Sequence, residues 1–184
     1  MEDLATKYYD RLQDIINSSE YLERIESMKE ELLFYYNAQW TSEEATDMED
    51  TGQTDIVLNT LRRAIRALVS QLVSSSPSSK FMPVHWTDED IRKTLEQLQG
   101  LFDHCWYSSK GNIEMRRAIT SQLVCGLGWL DCYLDPEADY FRGELKFRSL
   151  LPWEVVVPLS TKKFDFSDAR EMFICETISV SEAI

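Results

Sequence analysis

Around Gly126-Leu127-Gly128 the hydrophobic period of this 184-residue chain changes from 3.6 residues to two. Before that point apolar side chains recur at steps of three and four, the spacing of one helix face. After it they alternate with polar ones, the spacing of a strand with one buried side. Helices that come first and extended segments that come later cannot interleave into a parallel βαβ sheet. The expected class is α+β, a helical N-terminal half followed by a mostly antiparallel β portion.

The helical half divides into segments. A short helix from Leu4 stops at Asn17-Ser18-Ser19, and Ser18 or Ser19 is the expected N-cap of the next, with Glu20 and Glu23 in its first turn. Ile25, Met28, Leu32, Tyr35/Tyr36 and Gln39/Trp40 form the apolar stripe of that helix. Thr41–Asp55 holds six acidic residues, no basic residue and Gly52, and reads as a solvated loop. The strongest helical pattern follows, with Leu58, Leu61, Ile65, Leu68 and Leu72 flanked by Val69 and Val73. It stops at the serines and proline of Ser74–Ser79. Phe81–Trp86 reads as extended, and Thr87 as the N-cap of a helix with the stripe Ile91, Leu95, Leu98, Phe102 and Cys105/Trp106. After a turn at Ser108–Asn112, Met115, Ile119 and Leu123 mark one more helix. Strands are expected at Trp129–Leu134 and Gly143–Phe147, as a hairpin, and at Trp153–Val157 and Glu171–Ile178. The organisation read from this is a helical region over 1–80, with the acidic loop 41–55, and an α+β region over 81–184. Ser181 has the character of an N-cap without its helix, so the chain is expected to be the front portion of a longer protein.

Composition narrows the function. Apolar residues make up 43%, with eight Phe, eight Tyr and five Trp, too many for a disordered chain. Against 32 Asp+Glu stand 19 Lys+Arg, a net charge of −13, the wrong sign for an independent binder of DNA or anionic membrane. No apolar run reaches bilayer length, and Met1-Glu2-Asp3-Leu4 is acidic where a secretory signal would be basic.

Catalytic and metal-binding patterns are few. The two histidines, His85 and His104, stand at no ligand spacing to a cysteine. Cys105, Cys125, Cys132 and Cys175 contain no Cys-x-x-Cys, and read as free, mostly buried thiols. Gly126-Leu127-Gly128 follows a helix and precedes a strand, the reverse of a phosphate-binding loop, so it reads as a helix C-cap with close packing. No catalytic, cofactor-binding or metal residue is assigned. The one charged cluster to weigh is Arg62, Arg63 and Arg66. With Lys80 they are the only charges between Asn59 and Lys80, four positive charges in an acidic chain. One reading is an ion pair with the Glu-rich N-terminal helix, within the chain or between subunits. The other is a DNA-proximal or acid-binding surface. The aromatic groups Phe34-Tyr35-Tyr36 with Trp40, and Trp129 with Tyr133, read as core rather than as a nucleobase-stacking surface.

Four ordered stretches together resemble the N-terminal part of tailed-phage portal proteins, of the short-tailed type. They are Phe34-Tyr35-Tyr36-Asn37-Ala38-Gln39-Trp40; the asparagine-led helix from Asn59-Thr60-Leu61 to Ser79 with Pro83-Val84; Ala118 through Val124-Cys125-Gly126-Leu127-Gly128-Trp129; and Leu151-Pro152-Trp153-Glu154-Val155 through Pro158-Leu159-Ser160 and Asp165–Arg170. One departure stands out: Val157 precedes Pro158 where the family pattern has a turn-capping Asp, so this loop is expected to be held differently.

The resemblance implies a non-enzymatic subunit that assembles with itself into a ring, typically of twelve, at one capsid vertex. Double-stranded DNA would enter and leave through the ring without sequence-specific contacts. The implied partners are the terminase motor, the capsid protein and head-completion or tail adaptor proteins, with no cofactor and a place in the virion. Residues 81–184 would belong to the wing-like region, truncated at its C-terminal end, with stem and clip beyond Ile184. Two other classes fit the composition. An acidic helical adaptor or scaffold would bind protein partners without forming a channel. A metal-dependent nuclease or hydrolase would use scattered carboxylates and show magnesium-dependent activity.

Overall fold

The computed structural model describes residues 2–54, 56–74, 80–83 and 89–177. The N-caps expected at Thr87 and Ser181, the segments Ser75–Ser79 and Val84–Trp86, and Ile178 lie outside them. Six helices come first, α1 (Glu2–Ile16), α2 (Ser19–Tyr35), α3 (Ser42–Asp50), α4 (Thr60–Leu72), α5 (Glu89–Ser108) and α6 (Gly111–Cys125). A hairpin of β1 (Trp129–Asp135) and β2 (Glu144–Leu150) follows, with a one-turn helix α7 (Ala138–Phe141) at its tip. Two short strands, β3 (Val155–Val156) and β4 (Phe173–Ile174), complete the order. Both sheets are two-stranded and antiparallel, and the class is α+β.

Local chemistry sets the helix ends. Ser18 caps α2, its hydroxyl accepting from the Tyr21 N–H at 3.4 Å. The acidic stretch corrects the expectation of a loop over 41–55. Thr41 accepts from the Glu44 N–H, and Glu44 accepts from the Thr41 N–H at 2.9 Å, a complete capping box that starts α3. Glu43 and Glu44 in its first turn favour the positive end of the helix dipole. Composition pointed to a solvated segment, and its acidic side chains are indeed exposed, but exposure does not prevent a capped helix.

The α5–α6 turn is shorter than the expected Ser108–Asn112. Lys110 takes a left-handed conformation (φ 54°), and α6 starts at Gly111 directly under the Trp106 indole. A Cβ at Gly111 would lie 2.4 Å from that ring. Trp106 packs with Phe102 and Phe147, which seats α5 against the hairpin.

One core cluster joins Tyr21, Ile25 and Met28 of α2 to Cys125 at the end of α6 and Val156 of β3. A second joins Tyr35 to Ile65, Val69 and Val73. A third lies under Leu150, Val155 and Val157. The leucine stripe expected to bury α4 is therefore corrected. The buried line is Ile65-Val69-Val73, and Leu58, Leu61, Leu68 and Leu72 are exposed, Leu58 at 85%. The α6 stripe shifts in the same way: Ala118 and Cys125 are buried and Leu123 is exposed.

The hairpin pairs Trp129 with Leu150 through to Asp135 with Glu144, so β2 runs three residues beyond the expected Phe147. Glu114 of α6 ties the hairpin down, accepting from the Ser149 N–H at 2.9 Å and its hydroxyl at 2.7 Å, with Arg117 beside it at 2.7 Å. Burial alone would push the Glu114 carboxyl up. The Ser149 hydrogen bonds and Arg117 outweigh it and leave it below the ordinary carboxylate value of 4.5. A lowered native value means that this stabilisation is present above pH 4.5 and is lost as pH falls through the native value. Acid unfolding curves should show it, and Glu114→Gln should flatten the curve in that window.

The last two strands are shorter than expected because turns take over their ends. Glu154 accepts from the Leu151 N–H at 2.6 Å and bends residues 151–154. The loop that lacks an Asp before Pro158 closes with the Thr161 N–H donating to the Pro158 carbonyl at 3.1 Å. Asp168, ten residues downstream of Pro158, accepts from the Lys162 N–H at 2.9 Å and so supplies the missing carboxylate from the other side of the loop.

Candidate assembly surface

The arginine cluster sits where α2 ends and α4 begins, and both ends are fastened by one side chain. Asn37 turns left-handed (φ 76°) after α2. The Ala38 N–H then reaches back to the Leu33 carbonyl at 2.9 Å, and the Asn37 N–H to Phe34 at 3.2 Å, which terminates the helix before the Gln39/Trp40 positions that the stripe included. Asn59 bridges across. Its Oδ1 accepts from the Arg62 N–H at 2.8 Å and caps α4. Its Nδ2 donates to the carbonyls of Phe34 and Tyr35, each at 3.0 Å, and to Asn37 Oδ1 at 2.9 Å. The C-terminus of one helix and the N-terminus of the next are thus satisfied by a single amide.

This joint presents the arginines. The Arg62 guanidinium lies 5.7 Å from the Tyr35 ring centre and 5.8 Å from that of Tyr36, within cation–π range. Its Nε is buried without a hydrogen-bond partner. Arg63 and Arg66 are exposed and, with Asn37, Leu58 and Asn59, line a shallow concavity of about 610 Å³. No ion pair joins Arg62, Arg63 or Arg66 to a carboxylate among the described residues. The acidic residues of α3 are equally exposed. Of the expected aromatic core at this joint, Tyr35 alone is buried, while Phe34, Tyr36 and Trp40 are exposed.

The other sequence candidates are dispersed. His85 lies outside the described residues. His104 is exposed and stands 3.5 Å from Glu144. Cys125 and Cys132 fall on α6 and β1. All four cysteines are free thiols, Cys105 and Cys125 being buried and Cys132 exposed. Burial pushes the Cys105, Cys125 and Cys175 thiols up, away from the reactive thiolate. Among the described residues no group of three or more His, Cys, Asp or Glu converges on a point. No described helix is long and apolar enough to cross a membrane.

Sequence reasoning missed a salt-bridged strap. Arg148 of β2 bonds Asp131 of β1 at 3.0 Å and pairs with Glu176, and its guanidinium stacks 4.5 Å from the Tyr133 ring. Alternation places Arg148 on the hairpin face, but no local signal marks Glu176 as its partner.

Arg62, Arg63 and Arg66, without a carboxylate partner among the described residues, and the exposed carboxylates of α3 are charges open to contact with another molecule. Residues 12–184 match the family model described as phage P22-like portal protein, and the chain belongs to that family. It is a phage portal protein, a structural head-tail connector component that serves DNA packaging. No curated protein matches the chain.

Proposed function

We propose that the chain assembles head to tail into a ring of about a dozen copies at one capsid vertex, through which double-stranded DNA is packaged and later ejected. The observation that carries this reading is the pair of unmatched surfaces. Arg62, Arg63 and Arg66 have no carboxylate of their own chain among the described residues, and the carboxylates of α3 are exposed. A ring contact is heterologous, one face meeting a different face of the neighbour, and complementary charge on two faces suits it. In this reading Arg62, Arg63 and Arg66 form a subunit interface rather than a DNA-proximal surface. The net charge of −13 also suits a channel wall that must let a duplex slide instead of gripping its phosphates. The terminase motor, capsid protein and tail adaptors are the partners that such a ring would engage, with residues 81–184 as its wing-like part, in a virion assembled in the host cytoplasm.

Reversal of all three arginines to glutamate should raise the dissociation constant for assembly at least about tenfold, roughly 1.4 kcal/mol per contact. Native mass spectrometry across a concentration series reads it. An unchanged ring yield would sink the assignment of these arginines. A protein that stays single throughout would favour the adaptor reading.

A further inference from the structure

The hairpin tip carries two unpartnered aromatic side chains on strained backbone. Tyr140 and Phe141 are 93% and 82% exposed, and both adopt left-handed φ values, 56° and 67°. Both rings stand in solvent, with exposed Arg142 next to them.

Away from the hairpin strands an apolar groove is lined by α2, α4 and α6. Phe34, Leu61, Ile65, Leu123 and Val124 line it, Glu30 and Glu31 stand at its rim, and its volume is about 410 Å³. It exists because α4 buries Ile65-Val69-Val73 and leaves its leucine flank uncovered. Gly128 packs back against Ala118 of α6, and the seven-residue strand β1 then spans about 20 Å to the tip. Knob and groove do not meet within one molecule, since both rings are exposed, and they are different surfaces, as the two sides of a heterologous contact are.

We propose that Tyr140 and Phe141 of one copy seat in the α2–α4–α6 groove of the next copy, with Arg142 against Glu30 and Glu31. The inference rests on the self-assembly reading above and adds the pair of surfaces that meet. Aromatic anchors beside an arginine are the side chains that dominate binding energy at well-packed interfaces. The carboxylates at the rim supply the charge complement, which sets register more than affinity.

The test uses the protein with Cys132→Ser throughout, in three parts. Phe141→Ser with Arg142→Glu should raise the concentration for half-assembly at least tenfold. Arg142→Glu alone should weaken assembly, and adding Glu30→Arg and Glu31→Arg should restore it. Phe141→Cys together with Leu61→Cys should give a ladder of covalent multimers on oxidation, and neither cysteine alone should. Unchanged assembly of the first variant, with no ladder from the cysteine pair, overturns this contact while leaving the ring intact. An unaltered protein that never assembles overturns the ring and the contact together.

Discussion

Gly128→Ala is expected to destabilise the fold by roughly 3 kcal/mol, among the larger effects a single methyl group can have. A Cβ at Gly128 would stand 2.0 Å from the Ala118 carbonyl oxygen and 2.9 Å from Gln122 Cβ. The first of these is backbone within α6, so no side-chain rotation relieves it. Either α6 or the start of β1 must shift, and the Glu114–Ser149 bonds and the Trp129–Leu150 pairing lie just beyond. Gly126 is the internal control. It is the left-handed C-cap of α6 (φ 76°), and its Cβ would meet open space. Gly126→Ala therefore meets only the conformational penalty, about 1 kcal/mol. Urea midpoints of the two variants separate close approach from backbone freedom. Equal losses would mean that the packing of Gly128 on α6 is not what the residue is for.

Asn59→Ala is expected to cost about 2 kcal/mol, combining the α4 cap at about 1 kcal/mol with the lost donors to the end of α2 at about 1 kcal/mol. Asn59→Asp separates the two roles. The carboxylate still accepts from the Arg62 N–H, but it faces the carbonyl oxygens of Phe34 and Tyr35 and Asn37 Oδ1, where the amide donated. It should be at least as destabilising as alanine at neutral pH, although aspartate is a good N-cap residue. An aspartate variant as stable as the parent protein would show that the cap alone matters. Because the joint sets where Arg62, Arg63 and Arg66 stand, both substitutions should also weaken assembly at concentrations where the protein remains folded. Thermal unfolding and the oligomer distribution, measured on the same samples, check this.

The joint was half legible in advance. Asn59 at the head of a helix is a local signal, and so is Ser18 before Glu20, because a cap bonds to a backbone N–H two or three residues away. The other half, the amide reaching Phe34 and Tyr35 some 25 residues back, has no local mark. The helix over Ser42–Asp50 was legible too, in the Thr41-x-x-Glu44 box, but the density of acidic residues outweighed it. The arginines stand out in the sequence as a run of positive charge, and α4 brings all three to one concavity. An own-chain carboxylate for them is absent among the described residues, which only the arrangement of α2 against α4 could decide.

By itself the sequence determined the elements whose causes are short-range: five of the six helices up to Cys125, the cap at Ser18/Ser19, the glycine end of α6, and the change of period that makes Trp129–Leu150 a hairpin. Each depends on residues within a turn or two of one another. Tertiary structure decided which side of each element is dry. In α4 the leucines and the valines flank the same isoleucine, and either line could have served as the core. Tyr35 packs with Ile65-Val69-Val73, and that choice leaves the α4 leucines exposed, Leu61 in the groove, and Arg63 and Arg66 facing outward. Removal from water depends on which neighbours arrive from elsewhere in the chain. A helix period names an apolar face, and the packing partners select the part of that face that becomes core.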